Sequence, residues 1–137
     1  GKEINQEVIW QTAKELGMSS HLLYNQDFDV GTGGEHMKLS DRLCVSLIRA
    51  LYFDVECVLV SSILDILGEE RGKRILGLLR KYMDNRGLLG KTYRLPFEFR
   101  HRKMAIYTSR IQSLQDQCDV LLESSQLDAG WDDTDVI

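Results

Sequence analysis

Twelve of the chain's seventeen Lys and Arg residues lie between Arg71 and Arg110, among only two acids, Asp84 and Glu98. That segment is formally +10, while residues 1–70 and 111–137 are each −7, so the net charge of −4 hides a positive block between two negative ones. Segregated charge of this kind creates a strong local field for capturing anions. The candidate binding set is Lys73, Arg74, Arg80, Lys81, Arg86, Lys91, Arg94, Arg100, Arg102 and Lys103. Its partner is an acidic protein surface, a nucleic acid through the basic segment 71–103, or the chain's own acidic flanks.

Other chemistry finds little support. His21, His36 and His101 are far apart, and none has a second ligand at metal-binding spacing. Asp132, Asp133 and Asp135 lack the glycine and closing Glu of a calcium loop. Gly31-Thr32-Gly33-Gly34 neither follows a strand pattern nor precedes a Lys-Ser or Lys-Thr pair, so it is no phosphate cradle. No catalytic, metal-binding or cofactor-binding residue is therefore assigned, and the chain reads as non-catalytic without a cofactor. Cys44, Cys57 and Cys118 sit in apolar patterns and read as reduced core thiols of an intracellular protein, nuclear or cytoplasmic. The polar amino end lacks the apolar stretch of a signal peptide. Four charges interrupt the apolar run 43–67, which argues against a membrane span.

These residues need helices to position them. Ile4, Val8, Ile9, Ala13 and Leu16 recur at helical spacing before Gly17, and a shorter helix follows from Ser20. Ser40 or Asp41 caps a long helix to about Leu67, with eighteen apolar residues among the twenty-five from 43 to 67. Arg71–Arg86 forms an amphipathic helix antiparallel to it, with Ile75, Leu76, Leu78, Leu79, Tyr82 and Met83 inward. A short strand or wing is expected at 91–99, where Pro96 restricts it to an edge. A last helix spans Arg100 to Gln126, and its heptad seam of Met104, Tyr107, Ile111, Leu114, Cys118 and Leu121 suits an oligomer or a bundle.

The expected fold is all-α, a compact bundle of four to five helices around the central apolar helix 43–67. Residues 1–30 form a helix-Gly-helix segment and 31–37 a flexible Gly-rich loop or an engineered linker. Residues 38–126 form the helical core domain and 127–137 an acidic mobile tail carrying Trp131.

Residues 10–24, Trp10-Gln11-Thr12-Ala13-Lys14-Glu15-Leu16-Gly17-Met18-Ser19-Ser20-His21-Leu22-Leu23-Tyr24, resemble a helix-turn-helix unit. Ala13 stands at the close helix crossing, Gly17 at the turn, and Met18 and Leu23 at the apolar positions of the second helix. The resemblance implies that Ser19, Ser20, His21 and Asn25 face bases or phosphates. Residues 75–95 look like the last helix and first wing strand of a winged-helix domain, with the basic side chains placed for phosphates. Taken together, the leading expectation is a non-catalytic protein-protein interaction domain of an intracellular regulatory complex, which binds another protein or self-associates through its apolar helices. Direct DNA or RNA binding, as in transcription regulation, is the alternative.

Overall fold

A computed structural model describes residues 4–25 and 27–122. Their fold is mostly helical with one small parallel sheet. The order is α1 (Gln6–Glu15), α2 (Ser20–Leu23), α3 (Leu39–Tyr52), β1 (Cys57–Val60), α4 (Ile63–Leu67), α5 (Glu69–Asn85), β2 (Met104–Tyr107) and α6 (Gln112–Gln115). Single 3₁₀ turns stand at Thr32–Gly34 and Phe97–Phe99. The expected tail 127–137 lies outside the described residues.

The expected central helix 43–67 does not form as one element. It stops at Tyr52 because Asp54 adopts a left-handed conformation, φ 59°. The Asp54 and Val55 amides then turn back to the Leu51 and Ala50 carbonyls, a Schellman closure. Gly17 closes α1 and Arg86 closes α5 in the same way. Beyond Asp54, Cys57–Val60 is β-branched at alternate positions and becomes strand, with Val58 and Val60 buried and Cys57 and Leu59 exposed. Only Ile63–Leu67 returns to helix. Helix α3 begins two to three residues earlier than expected, after Lys38, and Asp41 lies inside it.

The last expected helix, Arg100–Gln126, is also corrected. Met104–Tyr107 forms β2, and the only helical turn that follows among the described residues is Gln112–Gln115. Four successive basic or titratable residues at 100–103 oppose the positive end of a helix dipole. Met104–Tyr107 instead pairs in register with β1, Cys57 against Met104 and Val60 against Tyr107. Residues 91–99, expected as strand or wing, run without regular strand and include the turn after Pro96.

Parallel strands need a long crossover, and here it carries α4, α5 and the irregular return 88–103. Helix α5 is the centre of the core. Ile75, Leu76, Leu78, Leu79 and Tyr82 are buried as their spacing predicts, together with Leu16 of α1, Leu51 of α3, Leu64 of α4 and Leu114 of α6. Helix α5 packs on α4, and α1 packs on α3. Each buried Leu contributes roughly 1.5–3 kcal/mol relative to leaving it exposed. Gly72 of α5 permits the approach of α6, since a Cβ there would stand 2.7 Å from Leu114 Cδ1.

Candidate functional site

The outward face of α5 carries the first four residues of the expected basic set, and each has an acidic partner. Lys73 pairs with Glu69 at 3.1 Å and Arg74 with Glu70 at 3.7 Å, both one helical turn away. Lys81 meets Glu15 of α1. Arg80 grips Asp119 with both terminal nitrogens, each 3.0 Å from a carboxylate oxygen. That fork raises the Arg80 pKa further above its ordinary value. Exposed pairs of this kind contribute about 0–1 kcal/mol each, so their main effect is to reduce the net field of the block.

A second group of cations holds the return segment to the body. Asp54 is the hub. Its carboxylate accepts from Lys91 Nζ at 3.0 Å and from the Tyr93 hydroxyl at 2.7 Å, while its carbonyl accepts from Lys103 Nζ at 3.0 Å. Lys91 also donates to the Tyr52 carbonyl and stands 4.6 Å from the Tyr52 ring centre. Arg100 lies 4.6 Å over the Tyr93 ring and donates to the Asn85 carbonyl. Arg86 lies 4.4 Å over Phe97. Burial pushes the Tyr93 phenol above its usual pKa, and its hydrogen bond to Asp54 adds to the rise. Of the ten expected basic residues, Arg94 and Arg102 alone make no ion pair or hydrogen bond among the described residues.

The residues expected as a heptad seam fall on different elements. Met104 and Tyr107 are on β2, Ile111 precedes α6, Leu114 is fully buried within α6, and Leu121 lies beyond it, exposed. The Tyr107 hydroxyl donates to the Leu114 carbonyl, tying β2 to α6. The surface formed here is different. Leu59 on β1 and Met104 and Ile106 on β2 are 68%, 53% and 47% exposed, and Leu59 stands directly beside Ile106 in the register. With Cys57 beside Met104 they form an apolar face on the solvent side of the sheet. Exposure alternates from Arg102 to Arg110: Arg102, Met104, Ile106, Thr108 and Arg110 point outward, and the residues between them are partly buried. Parallel sheets are ordinarily covered on both faces, so this open apolar face is the candidate interaction site.

A second apolar concavity, about 380 Å³, lies between α1, α2 and α3, with Trp10, Met18, Leu22 and Phe28 on its walls and Arg49 at its edge. Here the helix-Gly-helix corner takes its actual form. Helix α2 is one turn long, too short to lie along a groove of DNA. Ser19 is turned inward, its amide and hydroxyl both donating to the carboxylate of fully buried Asp41, at 3.0 and 2.6 Å. Ser20, His21 and Asn25 are exposed but carry no positive guanidinium or ammonium group. Arg71 clamps the corner to α5 by donating to the Gly17 carbonyl at 2.9 Å.

The cysteines divide: Cys44 is buried, Cys118 half-buried and Cys57 exposed, all three as free thiols. Burial raises the Cys44 pKa and outweighs the opposing effect of Arg71. Among the described residues no cluster of three or more His, Cys, Asp or Glu is placed to hold a metal ion. No helix among them is long and apolar enough to cross a membrane.

Sequence patterning missed Leu59 and Ile106 because both were assigned to long helices. The period-two run Arg102-x-Met104-x-Ile106 and the β-branched run 57–60 were the available signals. No protein-family model, curated protein or solved structure matches this chain.

Proposed function

We propose that the chain is a non-catalytic protein-interaction domain of an intracellular regulatory assembly, nuclear or cytoplasmic. The observation that supports it is the open apolar face of the β1–β2 sheet, with Leu59, Met104 and Ile106 all at least 47% exposed. Apolar side chains gathered on one side of a parallel sheet favour a covering partner. The free thiols accord with a reducing compartment.

The alternative, DNA or RNA binding through Lys73, Arg74, Arg80, Lys81, Lys91 and Arg94, has one observation in its favour. Arg94, joined by Arg102, presents an exposed side chain within the basic segment. Against it, α5 offers phosphates only side chains already paired with Glu69, Glu70, Asp119 and Glu15. Titration with duplex DNA and single-stranded RNA at two salt concentrations separates the readings. The interaction-domain reading expects no saturable binding at low salt. Steeply salt-dependent binding, lost when Lys73, Arg74, Arg80 and Lys81 are replaced by Glu, would replace it with the alternative.

A further inference from the structure

The sheet is incomplete at its edge as well as on its face. The Met104 amide donates to the Glu56 carbonyl and the Thr108 amide to the Val60 carbonyl. In a parallel ladder this parity turns residues 104, 106 and 108 toward β1 and residues 105 and 107 away from it. The amides and carbonyls of Ala105 and Tyr107 therefore point to the outer edge of β2. None of these four groups has a hydrogen-bond partner outside the ladder among the described residues. Ala105 keeps partial exposure although its side chain faces the core cluster, which accords with an accessible backbone. Two strands alone make a marginal sheet, and a bare edge is a template for a third.

The side chains along that edge specify what fits. The outward row reads Arg102, Met104, Ile106, Thr108, Arg110, an apolar centre with a cation at either end. Neither guanidinium has an ion-pair partner among the described residues. Asp65, whose carboxyl pKa is lowered by hydrogen bonds from Ser109 and the Arg110 amide and less by the Arg110 charge, is already engaged by Ser109 Oγ at 2.5 Å and by the Arg110 amide at 2.8 Å. At the other end the Glu56 carboxylate stands 3.3 Å from His101 Nδ1. A second copy of the chain is a poor occupant. The antiparallel self-pairing that uses both outward residues, Ala105 opposite Tyr107, centres on Ile106. It sets Arg102 directly against Arg110 of the second copy at both ends, and like charges directly opposite are destabilising.

We propose that β2 accepts a third strand from another protein, an extended segment with an acid at each end and aliphatic residues at alternate positions between them. The segment's main chain bonds Ala105 and Tyr107, its aliphatic side chains lie beside Met104 and Ile106, and its acids meet Arg102 and Arg110. Binding by strand addition takes affinity from the main chain and specificity from alternate side chains. The inference rests on the interaction-domain reading and assigns its partner class.

The test uses the full chain and a blocked peptide, Glu-Thr-Ile-Thr-Val-Thr-Ile-Thr-Glu, which sets aliphatic residues beside Met104 and Ile106 in either orientation, with a twin bearing Lys at both ends. Hydrogen exchange should be fast at the Ala105 and Tyr107 amides in the free chain and slowed by the acidic peptide. The double variant Arg102→Glu/Arg110→Glu should bind that peptide about tenfold more weakly and gain affinity for the Lys twin. This exchange of preference separates recognition from folding damage. Peptides N-methylated at odd or at even positions should lose binding in one set only, even positions for an antiparallel strand and odd for a parallel one. Protection of both amides in the free chain would overturn the proposal, since residues 123–137 or another part of the chain would already hold the edge. Equal binding of the acidic and Lys peptides, no binding of either, or indifference to both N-methylated sets would also overturn it. Failure here leaves the nucleic-acid titration unaffected, so the two readings fail separately.

Discussion

Tyr93→Phe tests whether the Asp54 cluster holds the return segment to the body. The hydroxyl donates to Asp54 Oδ1 at 2.7 Å and accepts from the Leu88 amide at 2.6 Å, and Leu88 is 2% exposed. Its removal leaves a buried amide without a partner, at about 1–3 kcal/mol, and deletes a hydrogen bond to a charged group worth about 1.5–3 kcal/mol. Asp54 is half-exposed and water can replace part of the second contribution, so the expected loss is about 2–3 kcal/mol. For a chain of this size that lowers Tm by roughly 6–12 °C. Asp54→Asn is the companion variant. Asn tolerates the left-handed backbone as Asp does, so the change isolates the carboxylate charge that Lys91 and Tyr93 share. Urea unfolding followed by far-ultraviolet circular dichroism should give an unchanged m-value and a double variant less destabilised than the sum, by about 1 kcal/mol. A Tyr93→Phe loss under about 0.5 kcal/mol, or strict additivity, refutes the account.

Gly77→Ala should stabilise the chain by about 0.5–1 kcal/mol because nothing stands within 4 Å of the new Cβ. On the same helix Gly72→Ala should cost about 1–2 kcal/mol, since the methyl meets Leu114; a gain at both positions in thermal melts would show that α6 is not packed there. Leu59→Ser with Ile106→Ser should leave stability within about 0.5 kcal/mol, and a larger loss would mean the face is already covered. Thiol labelling should modify Cys57 first and Cys44 last, at the rate of global unfolding; equal rates would contradict the burial of Cys44. Burial raises the phenol pKa values of Tyr82 and Tyr93, so the folded state holds those protons more tightly than the unfolded state. Stability from this source is fully present below the ordinary phenol pKa of about 10 and falls as pH rises beyond it. Alkaline urea titrations should show that slope, reduced in Tyr93→Phe.

The parts of the fold legible in the sequence are those where helix period and glycine agree. Helix α1 is written in Val8, Ala13 and Leu16 and ends at Gly17, which is in fact its left-handed cap. Helix α5 shows its buried face at Ile75, Leu76, Leu78, Leu79 and Tyr82 because charged residues fill the other side. The stretch 43–67 was not legible, because eighteen apolar residues without a glycine or proline satisfy a helix and a strand equally. Its break rests on Asp54, a residue that reads as an interrupting charge and acts as a left-handed cap. The basic block was legible as charge but not as function. The partners that neutralise it, Glu15, Asp54 and Asp119, are 66, 37 and 39 residues away in the chain.

Asp54 connects these two failures. Its left-handed backbone releases Cys57–Val60 from the helix and allows a strand to form. Its carboxylate then anchors Lys91 and Tyr93, and its carbonyl anchors Lys103, one residue before β2 begins. One residue thus ends α3, starts the path to β1 and fixes where β2 enters beside it. The cations it gathers are withdrawn from the surface, whereas Arg102, adjacent to Lys103 but of opposite parity along the strand, stays outside. At 102 and 103, therefore, alternation along the chain decides which charge serves the fold and which stays in solvent. A Gly at position 54 would separate the two roles of this residue. It keeps the left-handed turn without strain and the carbonyl that holds Lys103, but removes the carboxylate that holds Lys91 and Tyr93. Strands β1 and β2 should therefore persist while exchange at the Leu88 amide, which donates to the Tyr93 hydroxyl, accelerates. Unchanged protection of the Leu88 amide would show that the return segment is held without the Asp54 carboxylate.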